Sequence, residues 1–446
     1  MLEKSLKKAL LSGGGWVSAG KIIGFPTQLA VNAFLARLLS QDDMGLYFLI
    51  FSLVHLAALF SVLGMERSIV RIVAEALARN IPQRAIQAVH YVLQFGLLAS
   101  IIISILLIAG VGDFISQRIF NSVAMGQIIY YPAIWVILLT LQHLIAESFR
   151  GFHEIRFATI YNGPIVNLII SVAFGLLLWK HPISNLSILL LIIVLAHAFN
   201  LFIAFFTLLK QTSRFIQKQK KWITRSEILK TSWGLYFLNI LFFFLTSGHL
   251  WLLAYCSSKE SVALYGAASR LMILITSTLS IIKLVILPMI GDLYTKKSYR
   301  EMEAVLRTTA TIAGIPSVIA LIILISYGKG ILSMVYGPGY TAGYPALAVL
   351  AIANLINVLT GTPGVLMVMA SKEKLMLSFT LISGAIGFTI SIFLVGTLDS
   401  LGVAVGAGAG IIINNLLMAF FCFKKLSIIT LMNFPSRLSF KKVIQE

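Results

Sequence analysis

The chain has 446 residues, of which 59% are hydrophobic and only 11% charged, and its formal net charge is +19. Its mean hydropathy of +0.94 is far above that of a soluble globular protein, and apolar runs of about 20 residues recur along its whole length. This composition excludes an ordinary soluble domain and predicts a polytopic membrane protein.

The apolar runs predict twelve transmembrane helices. Helices are indicated because a lone strand cannot satisfy its backbone in hydrocarbon, and the runs are too long and too uniform for the strands of a barrel. In chain order the predicted spans are residues 13–38, 45–65, 86–110, 127–146, 157–179, 187–209, 231–254, 263–290, 308–327, 343–369, 375–396 and 401–423.

The distribution of basic residues predicts the orientation of these spans. With the N-terminus inside, the inner segments hold 27 of the 35 Lys and Arg and the outer loops hold four. Cytoplasmic loops are enriched in Lys and Arg, so both termini are predicted to be cytoplasmic, and residues 13–38 are read as an uncleaved first span. The positive charge is therefore an inner-face feature that attracts anionic membrane lipids, and no nucleic-acid partner is predicted.

An internal repeat is visible between LARLLSQDDMGLY (35–47) and LAYCSSKESVALY (253–265), which align without a gap. Each is the first outer loop of a six-span half, which predicts a parallel repeat with a cavity between two bundles. Chance similarity between apolar segments is the alternative. The predicted organisation is an N-terminal six-helix bundle (1–209), a basic cytoplasmic linker (210–230), a C-terminal six-helix bundle (231–423) and a basic cytoplasmic tail (424–446).

Four basic residues fall inside predicted spans, whereas none of the 16 acidic residues does. A cation inside the membrane costs at least about 2.5–3.5 kcal/mol and usually faces a bundle interior or a wet cavity. This pattern favours a cavity that receives an anion, and snorkelling is the alternative for those nearest the span ends. The four are Lys21 and Arg37 in span 1 and Arg270 and Lys283 in span 8, of which Arg270 is the hardest to explain by snorkelling.

The same span carries a family resemblance. Span 8 reads ALYGAASRLMILITSTLSIIKLVILPMIGDLY and resembles the eighth span of the multidrug, oligosaccharidyl-lipid and polysaccharide (MOP) exporter superfamily. LARLLSQDDMGLYFL, SFRGFHEIRFATIYNGPIVNLII and YGPGYTAGYPALAVLAIANLINVLTGTPGVLMVMASKEK agree with it. Together these stretches are similar to the bacterial polysaccharide (lipid-linked oligosaccharide) flippases, over essentially the whole chain.

The resemblance implies a bacterial inner-membrane flippase with spans 1, 2, 7 and 8 around a central cavity that opens alternately to each side. Its implied substrate is a polyprenyl-pyrophosphate-linked oligosaccharide, moved to the outer leaflet for cell-surface polysaccharide biosynthesis, with polysaccharide polymerase machinery as a further partner. Related lipid II flippases carry an Arg at the position that Arg270 matches. Lys21 and Arg37 are nominated on physical grounds alone, Lys283 joins them in the predicted cationic cavity, and Arg67 and Arg71 are candidate cytoplasmic headgroup contacts.

Other chemistry is sparse in the sequence. It has no GxxxxGK[ST] phosphate loop, so a transporter without a cofactor, catalytic residue or metal is predicted. Five histidines within spans are predicted to be packed and hydrogen-bonded, with a proton relay as the alternative. Two other functions remain open: a cation-coupled drug antiporter, which a cavity carboxylate such as Glu66 or Glu147 would support, and a non-transporting membrane assembly subunit.

Overall fold

The structure is a computed structural model that describes residues 2–180, 185–213 and 223–433, and these contain helices and no strands. Two π-helical segments (Leu107–Val111 and Ile115–Ile119) and one 3-10 segment (Pro338–Gly343) interrupt the α-helices. The α-helices are α1 (Leu2–Leu38), α2 (Gln41–Val62), α3 (Met65–Ala78), α4 (Pro82–Leu106), α5 (Gly112–Phe114), α6 (Val123–Gln127), α7 (Tyr130–Gly151), α8 (Ile155–Tyr161), α9 (Pro164–Lys180), α10 (Leu186–Thr212), α11 (Arg225–Cys256), α12 (Lys259–Leu271), α13 (Ile273–Thr295), α14 (Tyr299–Tyr336), α15 (Tyr344–Leu359), α16 (Pro363–Met369) and α17 (Glu373–Leu426).

Each predicted span falls mainly on helical residues, although the spans 157–179 and 343–369 are each interrupted, at residues 162–163 and 360–362. Within the described chain, eight helical stretches are long and apolar enough to cross a membrane, or nine if α12 and α13, which meet at a bend of 43°, form one broken span. The two last predicted spans share α17, which is interrupted at Asp399, where φ is +46° and ψ is −124°. The chain is thus a multi-pass membrane protein, and the count of twelve spans in two six-helix bundles stays a prediction.

The described residues divide into two compact units. The first comprises the described parts of Met1–Ala267 together with Ser333–Tyr340, and the second those of Ala268–Leu332 and Thr341–Glu446. In the first unit α11 packs against α2 and α3, although the sequence assigns residues 231–254 to the C-terminal bundle. Residues 214–222 of the predicted linker, and residues 434–446, most of the predicted tail, lie outside the described residues.

The two segments of the internal repeat adopt the same helix–turn–helix geometry within the first unit. α1 and α11 end, and α2 and α12 begin, at positions that are equivalent in the sequence alignment. Both turns use a serine cap: the hydroxyl oxygens of Ser40 and Ser258 each accept a bond of 3.2 Å from the backbone N–H three residues later. Because such caps satisfy the unpaired donors of a helix N-terminus, the same chemistry fixes both corners.

The starts of α2 and α12 lie directly against each other. A Cβ added to Gly45 would lie 2.1 Å from the carbonyl oxygen of Lys259, and one added to Gly266 would lie 2.3 Å from the ring of Phe48. Glycine is therefore required at Gly45, where any side chain would collide with backbone, and at Gly266 an added side chain would have to displace the ring of Phe48.

An apolar core positions the remaining helices of the first unit. It consists of fully buried residues of α3, α4, α7, α8 and α10, with Ile69, Val73 and Phe149 at its centre. Gly151 at the end of α7 lets Val73 approach, because a Cβ there would lie 2.8 Å from the valine side chain. This core holds α3 and α7 together beneath the polar residues described next.

Candidate functional site

A cavity of about 360 Å³ with several polar side chains in its wall lies inside the first unit. Its wall is built from residues of α1, α2, α3, α7, α9 and α10 and of the break between α8 and α9. Carboxamide side chains contribute Gln28, Gln142, Asn162 and Asn167. The ionisable side chains in the wall are His55, Glu66, His143 and His197.

Glu66 and His143 form an ion pair in this wall when the imidazole is protonated. The Nε2 atom of His143 lies 3.5 Å from Oε2 of Glu66, and the two side chains are 35% and 17% exposed. Glu66 is in the first turn of α3, directly after the left-handed residues Leu63 and Gly64 that end α2. The break between α2 and α3 thus brings the Glu66 carboxylate next to α7. The positive charge of a protonated His143 there offsets the cost of partly burying the carboxylate.

The sequence YNGP creates the second polar element of the cavity. α8 ends at Tyr161 and Gly163 has a φ of +137°, so the helix does not continue and the carbonyl of Tyr161 is one of the last that lack an intrahelical donor. Gln142 and Asn200 donate to this carbonyl instead, at 2.8 and 3.1 Å. The broken helix therefore fixes the orientation of the Gln142 carboxamide.

Lys21 and Arg37, the two predicted cations of α1, both lie in the first unit. Lys21 is half-buried with its Nζ 5.8 Å from the ring centroid of Phe25. Arg37 is exposed in the last turn of α1, and its guanidinium donates to the backbone carbonyl of Met334. This contact gives Arg37 a structural role at the helix end, in line with the snorkelling alternative.

Arg270 and Lys283 lie in the second unit on consecutive helices. Arg270 occupies the last turn of α12, half-buried, directly before the bend at Met272. Lys283 is half-buried in the middle of α13. That these two cations share a central cavity with those of α1 stays a prediction.

Arg67 and Arg71 both lie exposed on α3. The Nε atom of Arg71 donates to Oε1 of Glu75 at 2.7 Å, one turn along the same helix. This hydrogen bond holds the pKa of the Glu75 carboxyl below its ordinary value and raises that of the guanidinium. Arg71 is thereby partly neutralised, and its proposed role at a lipid headgroup would require it to exchange partners.

The sequence interpretation missed two features of the acidic and histidine residues. Glu147 lies near the end of α7, a helix long and apolar enough to cross a membrane, and its buried side chain pairs with Arg150 at 2.5 Å; the expectation of no carboxylate within a span stays a prediction. Three of the span histidines, His55, His143 and His197, meet in one cavity from three helices. Their linear spacing carried no signal, because the convergence depends on how α2, α7 and α10 pack.

Metal binding finds no support in the part of the chain that the structure describes. It contains no group of three or more His, Cys, Asp or Glu side chains placed to hold an ion. The polar groups of the cavity are instead hydrogen-bond donors and acceptors beside one carboxylate.

The fold is that of the MOP superfamily transporters. An inward-facing multidrug resistance MATE family transporter matches with a TM-score of 0.74 at 12% identity, over 90% of this chain and 94% of that one. The lipid II flippase MurJ in an inward closed conformation matches with 0.70 at 14% identity, over 91% and 86%. A MOP superfamily transporter from Pyrococcus furiosus, described as having a binding pocket of reverse polarity, matches with 0.64 at 13% identity, over 94% and 96%.

The chain belongs to the polysaccharide biosynthesis protein family. The model of this family matches residues 10–294, which is more than half of the chain. No curated protein matches the sequence. The resemblance seen in span 8 is thereby confirmed at the level of the family and of the superfamily.

Proposed function

We propose that this protein is a flippase that moves a polyprenyl-pyrophosphate-linked oligosaccharide from the cytoplasmic to the outer leaflet of a bacterial inner membrane by alternating access. Membership of the polysaccharide biosynthesis family carries the proposal. The fold, shared with a lipid II flippase, is consistent with a lipid-linked substrate. Machinery that polymerises the delivered units is the implied partner.

The intramembrane cations give the proposal its chemistry. Moving an isolated ion into hydrocarbon costs on the order of 20 kcal/mol by Born solvation, so a pyrophosphate needs a polar, positively charged route. Arg270 is suited to this route because its planar guanidinium binds phosphate through two hydrogen bonds and stays charged. Lys21, Lys283 and Arg37 are proposed to add positive charge along the same route, with Arg67 and Arg71 at its cytoplasmic end.

Native mass spectrometry of the purified protein tests this function and the role of Arg270. We expect a polyprenyl pyrophosphate adduct on the wild-type protein that is lost from Arg270→Ala. The matched control is Arg300→Ala, which removes an exposed cation of α14 in the same unit. An adduct that survives in Arg270→Ala would remove that residue from the site, and a wild-type protein that never retains the lipid would count against the flippase.

A specific observation favours the drug antiporter as the second candidate. Antiport of an organic cation needs a carboxylate that can exchange a proton or Na⁺ for the substrate, and Glu66 lines the cavity of the first unit. The pairing of Glu66 with His143 weakens the antiporter hypothesis, because the carboxylate already has a cationic partner when the imidazole is protonated. Export of an organic cation that Glu66→Gln abolishes, with no lipid bound, would shift the assignment to this function.

A further inference from the structure

After α17 the chain turns back and crosses the second unit as an extended strap, residues 427–433. Ser427 ends the helix with a φ of +56°, and its backbone N–H donates to the Cys422 carbonyl. Ile428 is buried among residues of α13, α14, α16 and α17, and Thr430 is buried as well. The strap thus begins in the core of the second unit, although the sequence assigns it to the predicted cytoplasmic tail.

The far end of the strap supplies a hydrogen bond that a proline break lacks. α15 ends at Leu359, and the residue four positions later is Pro363, which has no N–H, so the helical donor to the Leu359 carbonyl is missing. The backbone N–H of Met432 donates to this carbonyl at 2.9 Å. The break turns at Gly361, where φ is +76° and an added Cβ would lie 2.4 Å from the Thr430 carbonyl oxygen. The strap therefore fits against the break through backbone groups.

A second attachment joins the strap to α14. Oγ1 of Thr311 accepts from the backbone N–H of Asn433 at 3.1 Å and lies 3.0 Å from the carbonyl oxygen of the same residue. On the next turn of α14, a Cβ added to Gly314 would lie 2.8 Å from the sulfur of Met432. The strap therefore ties α14 to the end of α15, beside the break.

This attachment is weak enough to open. Only two of the seven side chains of the strap are buried, those of Ile428 and Thr430, and Leu431 is 43% exposed. Few buried apolar contacts are typical of segments that open locally. The hydroxyls of Thr362 and Thr430 are buried without a hydrogen-bond partner among the described residues. The docked strap thus leaves polar groups unpaired, and its release would let them find partners.

The break that the strap covers has the properties of a hinge. Proline and glycine within a helix allow it to bend, and the hinges of moving proteins are a few residues at the ends of such elements. Residues 360–362 separate α15 from α16, and the Gly361 backbone is already in the left-handed region. While the strap is docked, its bonds to Leu359 and Thr311 hold the helix before the break to α14.

We propose that the strap is a conformational lock on the break between α15 and α16, and that it has to be released for this helix to bend during transport. The inference rests on the alternating access of the proposed function and adds to it a restraint built into the chain. It makes two demands of opposite direction: a weakened strap speeds transport, and a strap that cannot detach stops it.

Hydrogen exchange of the full-length protein in nanodiscs tests the weakened strap. Thr311→Val replaces the hydroxyl that holds Asn433 by a methyl group. We expect exchange in residues 356–366 and 427–433 to accelerate roughly two- to tenfold, the range for one hydrogen bond, and exchange in α3 to stay unchanged. Because the docked strap keeps the released fraction small, flipping of a polyprenyl-pyrophosphate-linked hexose in proteoliposomes should accelerate by the same factor.

Thr309→Val is the matched control. It makes the same change on the same helix, but the Thr309 hydroxyl donates within α14, to the Leu306 carbonyl at 2.9 Å. We expect this variant to keep the wild-type exchange and flipping rates. If Thr311→Val fails to fold, Asn433→Pro replaces it, since it removes the N–H that Thr311 accepts and alters only an exposed side chain. The same local acceleration is expected of it.

A crosslink tests the strap that cannot detach. Thr311→Cys combined with Asn433→Cys puts two thiols where a hydrogen bond now joins the residues, within the separation of about 7 Å that a disulfide tolerates between Cα atoms. The background is Cys256→Ser, since Cys256 is exposed and the other cysteine, Cys422, is buried. We expect oxidation to stop flipping of the lipid and a reductant to restore it.

The outcomes separate the lock from the flippase. Wild-type exchange in Thr311→Val, or a rise that is equal in α3, overturns the lock, and so does an oxidised crosslinked protein that flips lipid at the reduced rate. Faster local exchange without faster flipping also overturns it, because the strap is then only structural, and the flippase stays in place. A wild-type protein that flips no lipid counts against the flippase, and the exchange data then decide whether the strap holds the break.

Discussion

Gly45→Ala tests whether the close contact between α2 and α12 stabilises the first unit. The added Cβ would lie 2.1 Å from the carbonyl oxygen of Lys259, more than an ångström inside an ordinary contact. The obstacle is backbone, so no side chain can rotate away, and overpacking of this kind costs about 1–3 kcal/mol. An alanine in an unobstructed helix interior would instead stabilise by about 1 kcal/mol, so the steric cost has to exceed that gain.

The measurement is the midpoint of thermal unfolding in detergent, with two companion variants. Gly330→Ala is the unobstructed control, because no atom lies within 4 Å of the added carbon on exposed α14, and we expect it to unfold at the wild-type temperature or above. Gly266→Ala meets the ring of Phe48, a side chain that can give way, so a loss between the two is expected. A Gly45→Ala protein as stable as Gly330→Ala would refute the contact as described.

Three ion pairs give further predictions. Arg71 lowers the pKa of Glu75, so the pair stabilises the folded protein at pH values above the pKa of the carboxyl in the unfolded chain. This stabilisation is lost as the pH falls through the lowered pKa of the folded protein. The difference in unfolding temperature between the wild type and Arg71→Gln should therefore vanish in acid, and a difference that persists there would contradict this prediction. Arg84 donates to Glu227 at 2.5 Å, and its side chain is only 16% exposed. Glu227→Gln should therefore lower the free energy of unfolding, measured with a chemical denaturant, by about 1 kcal/mol. This value lies between the contributions typical of exposed and of buried ion pairs. Glu303→Gln, which breaks a 3.5 Å pair, should cost less, and equal losses would argue against a special role for the shorter pair.

Much of the fold could be predicted because it depends on local composition. The predicted spans fall on helices, since hydrocarbon leaves the backbone few alternatives and apolar length records that constraint directly. Helix ends were less predictable: α7 continues past its apolar run to Gly151 because Glu147 and Arg150 neutralise each other one turn apart. The interruption of α17 at Asp399 falls in the gap between the predicted spans 375–396 and 401–423, although no glycine or proline occupies that position.

The cavity could not be predicted in the same way. His55, His143 and His197 are far apart in sequence, and only the packing of their helices makes them neighbours. The sequence analysis ran one span, 157–179, through the YNGP break, although a glycine before a proline is a signal for a helix interruption. The two donors that the break recruits come from α7 and α10, and only packing brings them there. Arg270 could be singled out because a charge in an apolar run is conspicuous even without a structure, and its place in a binding site stays a prediction.

The contact between α2 and α12 also shows that the two segments of the repeat have to differ in sequence. A Cβ added to Gly45 would lie 3.4 Å from the backbone nitrogen of Ala263, its own equivalent in the sequence alignment, and one added to Gly266 would meet the ring of Phe48, which is likewise its equivalent. Residues that meet their own copies are what a two-fold axis imposes on a homodimer, where both partners must be identical. Within one chain, equivalent positions can carry different residues, and the phenylalanine ring fills the space that the glycine leaves. Two identical segments could not combine a large and a small residue there, so this asymmetric contact depends on having both segments in one chain, each with its own sequence.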